Sequence, residues 1–286
     1  MVFPWQNRGG SLSPLKLAVF LALFLPGAWT AFGLLHHSLG PRPLTEAIHQ
    51  TGLWAVRLLL ITLAVTPLRR LLNWPRLILV RRMIGVAAFA YALAHLGLYA
   101  VDQGLDLAMI ASEIWRRFYL TIGFVTLLLL SALAATSTDG MIKRLGGRNW
   151  RRLHRLVYAI GVLALTHYFL QSKLNIAEPA VAAGLFLWLM GYRLLGKLGR
   201  EGTAPVWTLA PFALAAGLAT AYGEAYYYRL AIGVDPHRVL AADLAWPFLA
   251  RPCWIVLLSA LVLAGLAVVR RYWLVARPVR LAGAQA

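Results

Sequence analysis

Apolar runs of roughly 18–20 residues, separated by short polar stretches, recur along the whole chain, and each is long enough to cross a bilayer as a helix. The pattern predicts helices near 15–35, 51–68, 83–101, 118–136, 153–171, 177–195, 205–223 and 247–269. A helix satisfies its own backbone hydrogen bonds in lipid, so a bundle is the natural architecture. The two-residue alternation of a membrane barrel is absent. The expected fold class is an all-α integral membrane protein of about eight transmembrane helices.

Composition agrees with the pattern. Of 286 residues 60% are hydrophobic and only 13% charged, with a mean hydropathy of +0.69. A soluble domain of this length needs more charge to cover its surface. The polar stretches are too short for a soluble domain, and no G-x-G-x-x-G after a strand or P-loop suggests NAD(P)H or ATP binding. The clearest seam is Gly196–Pro205. It divides a six-helix domain, 1–200, from a C-terminal two-helix hairpin, 201–286, whose helices are joined by a loop of about 20 residues holding Tyr226, Tyr227 and Tyr228.

The net charge of +18 changes the picture through its distribution. With eight helices, the side holding both termini carries twenty basic residues, clustered at Arg69–Arg82, Lys143–Arg155, Arg193–Arg200 and Arg270–Arg280, with Arg8 and Lys16 at the start. The opposite side carries seven: Arg42, Arg116, Arg117, Lys173, Arg229, Arg238 and Arg251; Arg57 lies within the second helix. The positive-inside rule then places both termini in the cytoplasm, as expected of a bacterial inner-membrane protein. The basic residues are a topology signal and a lipid contact, so nucleic acid is not an expected partner. Trp54, Trp74, Trp115, Trp150, Trp207, Trp246 and Trp273 fall at or near predicted helix ends, where indole rings favour the headgroup zone. The apolar run after Lys16 contains Pro26 and lacks a clear cleavage site, so it reads as a retained helix.

Candidate chemistry rests on histidine. Cys253 is the only cysteine, which excludes an intrachain disulfide, a cysteine-ligated cluster and covalent haem attachment. His36, His37, His49 and His237 fall at helix ends or in loops and read as solvated interface residues. His95, His154 and His167 fall on the third and fifth helices, where an ionisable side chain is a functional hypothesis by default. His95 lies 13 residues beyond Arg82 and His167 lies 12 beyond Arg155. Both imidazoles therefore sit roughly 18–20 Å above the cationic rim, at one depth on two parallel helices. That is what a non-covalent haem b clamped between two axial histidines requires. The plain alternative is two buried histidines bonded to backbone carbonyls.

His154 is less determined. It lies 13 residues before His167, about 140° around an ideal helix, and the matching depth on the third helix holds Arg82 instead of histidine. A second haem, the lining of a quinone or flavin pocket, and a helix-end histidine with no ligand role all stay open.

Several motifs together carry a family resemblance. Thr66-Pro67-Leu68-Arg69, Arg81-Arg82-Met83-Ile84-Gly85 leading through Tyr91 to His95 and Tyr99, Ser137-Thr138, Trp150 through Tyr158, and His167-Tyr168 occur in order. Over about residues 12–200 this resembles the MsrQ family, the haem-binding membrane subunits of a periplasmic methionine-sulfoxide reductase system, within the wider ferric-reductase-like transmembrane superfamily. The resemblance implies a six-helix electron conduit. It would take electrons from a cytoplasmic flavin reductase or membrane quinol and pass them through haem b to a periplasmic molybdopterin enzyme that reduces methionine sulfoxide. It implies haem association for His95, His154 and His167, and an FMN site in some members. The C-terminal hairpin departs from the shorter family pattern.

Two other functions compete with this electron-transfer subunit. One is a self-contained quinol- or metal-reducing cytochrome; the other is a non-redox transporter or structural membrane protein. Paired intramembrane acids or broken, repeated helices would favour a transporter, but acids are scarce and fall mainly in predicted loops.

Overall fold

The computed structural model describes residues 3–7, 9–198 and 206–276. Most of the Gly196–Pro205 seam, and Arg8, Arg200, Arg277 and Arg280, lie outside the described residues. The elements are α1 (Pro14–Leu35), α2 (Pro43–Leu71), α3 (Arg81–Asp102), α4 (Leu107–Arg116), α5 (Phe118–Ala135), α6 (Asp139–Leu153), α7 (Val157–Ser172), α8 (Ala177–Leu198), α9 (Leu209–Ile232), α10 (Pro236–Ala242) and α11 (Pro252–Ala276). Seven helical segments among the described residues are long and apolar enough to span a membrane. The protein is an all-α, multi-pass membrane protein. α9, with 24 residues, is long enough to span but falls outside those seven. Its threonine, tyrosines and Glu224 lower its hydropathy.

The eight apolar runs all become helices, but the stretches between them are more ordered than the pattern predicts. α4, α6 and α10 are short helices, each started by a side chain that caps a free backbone N–H: Asp106 accepts from Met109, Thr138 from Met141 and Asp235 from His237. α2 begins eight residues earlier than expected, at Pro43, whose missing N–H costs nothing at a helix start. Trp54 therefore lies inside the helix, under the Arg57 guanidinium at 5.2 Å, and not at its end. α9 runs on to Gly233, which ends it with a positive φ of 72°. Tyr226, Tyr227 and Tyr228 are consequently helical and not in a loop. The hydroxyls of Tyr227 and Tyr228 donate to the carbonyls of Lys173 and Leu174.

The chain forms two compact units, Met1–Thr62 with Leu79–Gln171, and Leu63–Ile78 with Ser172–Ala286. In the first, α1 is interrupted at Pro26, and the hydroxyl of Tyr91 enters the gap. It donates to the Leu23 carbonyl at 2.8 Å and accepts from the Gly27 N–H at 2.7 Å, a pair that an unbroken helix would join directly. In the second unit, α9 buries a stripe of mostly small residues, Leu209, Ala213, Ala216, Gly217, Thr220, Ala221, Glu224 and Ala225. Small residues let helices approach closely where lipid supplies no hydrophobic drive. Gly217 shows the fit: a Cβ there would sit 3.0 Å from Cβ of Leu257 on α11.

Candidate cofactor site between His95 and His167

α3 presents Tyr91, His95 and Tyr99 at four-residue spacing on one face. Each makes a polar tie to a different helix. Tyr91 enters the break in α1, the His95 Nδ1–H donates to the Ile48 carbonyl of α2 at 2.8 Å, and Tyr99 donates to Glu113 of α4 at 2.7 Å. Glu113 is held in turn by Arg117 at 2.6 Å. The rotation and depth of α3 are thereby set around His95.

His167 on α7 repeats the arrangement of His95. Its Nδ1–H donates to the Tyr119 carbonyl of α5 at 2.8 Å. In both cases the glycine four residues beyond the accepting carbonyl makes room for the ring. A Cβ at Gly52 would lie 2.9 Å from Nδ1 of His95, and one at Gly123 would lie 2.7 Å from Cε1 of His167. A carbonyl can only accept, so each Nδ1 carries a proton, and in the neutral imidazole Nε2 is then the nitrogen with the free lone pair. The expected alternative, histidines bonded to backbone carbonyls, is thus present at Nδ1 without competing for Nε2.

The two rings face each other with centroids 6.3 Å apart and planes nearly perpendicular at 84°. A metal–imidazole bond is about 2 Å, so two imidazoles sharing one metal have ring centres roughly 6 Å apart once ring size is added. The residues present therefore fit a haem iron held through two Nε2 atoms. A haem-type group is also the better match in donor number. Among the described residues no cluster of three or more His, Cys, Asp or Glu could hold a bare metal ion.

His154 sits in a 3₁₀ turn between α6 and α7 and is engaged differently. Its Nε2 meets the Thr136 hydroxyl at 3.2 Å, and its ring stacks on Trp150 with centroids 4.0 Å apart. Trp150 Nε1 also donates to the Thr136 carbonyl at 2.9 Å. The turn breaks the ideal helical phase between His154 and His167 on which the expected 140° separation rested. Arg82 pairs with Asp139 and reaches the Ser137 carbonyl at 3.4 Å. The structure therefore brings His95 and His167 together, and places His154 and Arg82 each with other partners. Gly52 and Gly123 were not anticipated from the sequence, although an isolated glycine inside an apolar helix is a signal of close packing.

The same stretch of chain carries the sequence likeness. Residues 51–165 match the family model of the ferric reductase like transmembrane component. The chain is 38% identical over 209 residues to the protein-methionine-sulfoxide reductase heme-binding subunit MsrQ of Azospira oryzae, covering 72% of this chain and 90% of that protein. It is 45% identical over 204 residues to the MsrQ of Xanthomonas campestris pv. campestris, covering 69% and 93%. The chain belongs to the MsrQ family. The MsrQ of Xanthomonas axonopodis pv. citri gives 47% over 179 residues, 61% of this chain and 80% of that protein. No solved structure matches the chain. Within the ferric reductase like match fall Gly52, His95, Tyr119, Gly123 and His154; Ile48 and His167 lie just beyond its two ends.

Proposed function

We propose that this MsrQ-family chain is the haem b electron-transfer subunit of a protein-methionine-sulfoxide reductase system. In this reading it passes electrons from a cytoplasmic flavin reductase or membrane quinol to a periplasmic molybdopterin enzyme. The observation that carries the reading is the pair His95 and His167, with ring centroids 6.3 Å apart and each Nδ1 held by a backbone carbonyl, which leaves Nε2 of both rings for a ligand. When bound, a haem b supplies reversible one-electron transfer. The residues do the rest: the two imidazoles would hold the iron, Ile48 and Tyr119 fix the proton on their Nδ1 atoms, and Gly52 and Gly123 let the rings pack against neighbouring helices. Such carbonyl partners also raise the basicity of a ligating imidazole.

We assign residues 1–200 to the haem-binding domain and 201–286 to an added hairpin, in a bacterial inner membrane with both termini cytoplasmic. One haem is the count this geometry supports, because the Nε2 of His154 is already engaged by Thr136. The His154 and Arg82 region, beside the basic residues Lys143 to Arg155, is then the face for electron entry, where an FMN phosphate or an acidic donor surface would meet positive charge.

Absorption spectra of the purified protein, oxidised and then dithionite-reduced, test the reading. The expected result is a low-spin b-type spectrum that is mostly lost in His95→Ala and in His167→Ala and largely kept in His154→Ala. Full haem content in both of the first two variants would overturn it.

A further inference from the structure

The second unit holds three clustered charged side chains, two of them buried, that the proposed electron path does not use. Glu224 lies on α9 at 3% exposure, and Asp243 follows α10 at 4%. Arg251 immediately precedes α11, with its side chain 32% exposed. The expectation that acidic residues fall mainly in loops fails here. Glu224 sits about 12 Å, eight residues, before the end of α9, within the buried stripe of that helix.

One guanidinium serves two carboxyls, and it serves them unequally. Arg251 Nε donates to Asp243 Oδ1 at 2.9 Å, whereas its Nη2 stands 3.5 Å from Glu224 Oε1. The backbone carbonyl of Asp243 accepts from Trp254 Nε1 at 2.8 Å, which pins that residue further. Glu224 Oε2 and Asp243 Oδ2 are both buried without a hydrogen-bond partner. The other titratable groups in electrostatic range are Tyr228 on the same helix and Cys253 on α11. Neither supplies positive charge.

With both acids ionised, the cluster holds one uncompensated negative charge and two orphaned oxygens in a low-dielectric interior. Each of these features is expensive. One added proton cancels that charge and turns an unpartnered carboxylate oxygen into a neutral O–H, which is far cheaper to bury. We propose that Glu224, with Arg251 and Asp243, forms a buried proton-binding site in which Glu224 holds the proton at neutral pH. The proton comes from water on the side reached by the partly exposed Arg251, bonds to a Glu224 carboxylate oxygen, and returns the same way; no electron moves. Asp243 stays ionised because it has the closer contact with Arg251. The site lies outside the residues matched by the ferric-reductase family model and does not depend on haem.

Infrared difference spectroscopy of the full-length protein in nanodiscs, with and without carboxyl-13C glutamate, tests this directly. The wild type is expected to show at neutral pH a carboxylic-acid C=O band that shifts with the glutamate label and on exchange into D2O. The band is lost in Glu224→Gln. In Asp243→Asn the guanidinium is released to Glu224, which ionises, so the band is lost at neutral pH there too. The glutamate label reads the wild type alone, so the test survives a variant that fails to fold. Absence of a labelled, exchangeable acid band in the wild type overturns the proposal. So does a band that persists unchanged in Glu224→Gln. Displacement of the band by millimolar sodium at constant pH would reassign the site to a metal cation.

Discussion

A Cβ placed on Gly123 would lie 2.7 Å from Cε1 of His167, closer than real side-chain contacts permit. Gly52 stands in the same relation to His95 on the other side of the candidate site. In each case the carbonyl four residues earlier accepts the histidine's Nδ1–H. Gly52→Ala and Gly123→Ala should push each imidazole off its carbonyl. The expected loss is roughly 10–100-fold in haem affinity, as for other partners that orient a metal-binding histidine. Gly97, on α3 with nothing near its Cβ direction, is the control, and Gly97→Ala should bind haem normally. Haem titration of the three apoproteins measures the difference. Equal affinities would mean that the glycines serve packing alone.

Tyr91 replaces a broken backbone bond in α1, whereas Tyr99 adds to a pair that already exists between Glu113 and Arg117. Tyr91→Phe therefore leaves a carbonyl and an N–H unpaired in the membrane interior, and about 1–3 kcal/mol of stability should go. Tyr99→Phe should cost less, since Glu113 keeps Arg117. Thermal melts followed through the visible spectrum rank the two, and a larger loss in Tyr99→Phe would contradict the account.

Arg151 and Arg152 end α6, which buries none of its residues, so their charge is available to a docking donor. Replacing both with Gln should slow reduction of the protein by a cytoplasmic flavin reductase while leaving reoxidation by a periplasmic acceptor nearly unchanged. Raising salt should narrow the gap between wild type and variant, because exposed charges are screened. Stopped-flow measurement of both half-reactions in oriented vesicles decides the direction. Slower reoxidation with normal reduction would place electron entry on the other face.

The imbalance of twenty basic residues against seven predicts that reporters fused after Ala286 or at Asp139 are active in the cytoplasm. A reporter fused at Val234, beyond the end of α9, should be active only when exported. An exported reporter working at Ala286 would remove α9 from the spanning helices.

The range of each interaction decides whether a short stretch of chain can encode it. Apolar run length alone located every long helix, because a membrane span depends on about 20 consecutive residues and little else. That His95 and His167 could lie side by side was also readable, since rise per residue is nearly constant along a helix, and their rings are 6.3 Å apart. Helix ends were less so. The starts of α2 and α4 and the end of α9 depend on Pro43, Asp106 and Gly233, whose local effect is lost when hydropathy is averaged over a window.

Contacts between distant segments were decided only by the tertiary structure. Nothing near His95 in sequence indicates that Ile48 fixes its tautomer, or that Gly52 gives its ring room, 47 residues away in the first case. The same holds for Thr136 engaging His154, and for Glu224, read as the edge of a loop until α9 continued through it and Asp243 and Arg251 closed around it. Which residues can enter lipid, and where ionisable groups are costly, follow from local composition, because those are properties of each helix alone. Which nitrogen is held, which glycine yields space and which acid lacks a partner depend on the approach of one helix to another. That approach is set by packing along whole helix faces, and no single stretch of chain encodes it.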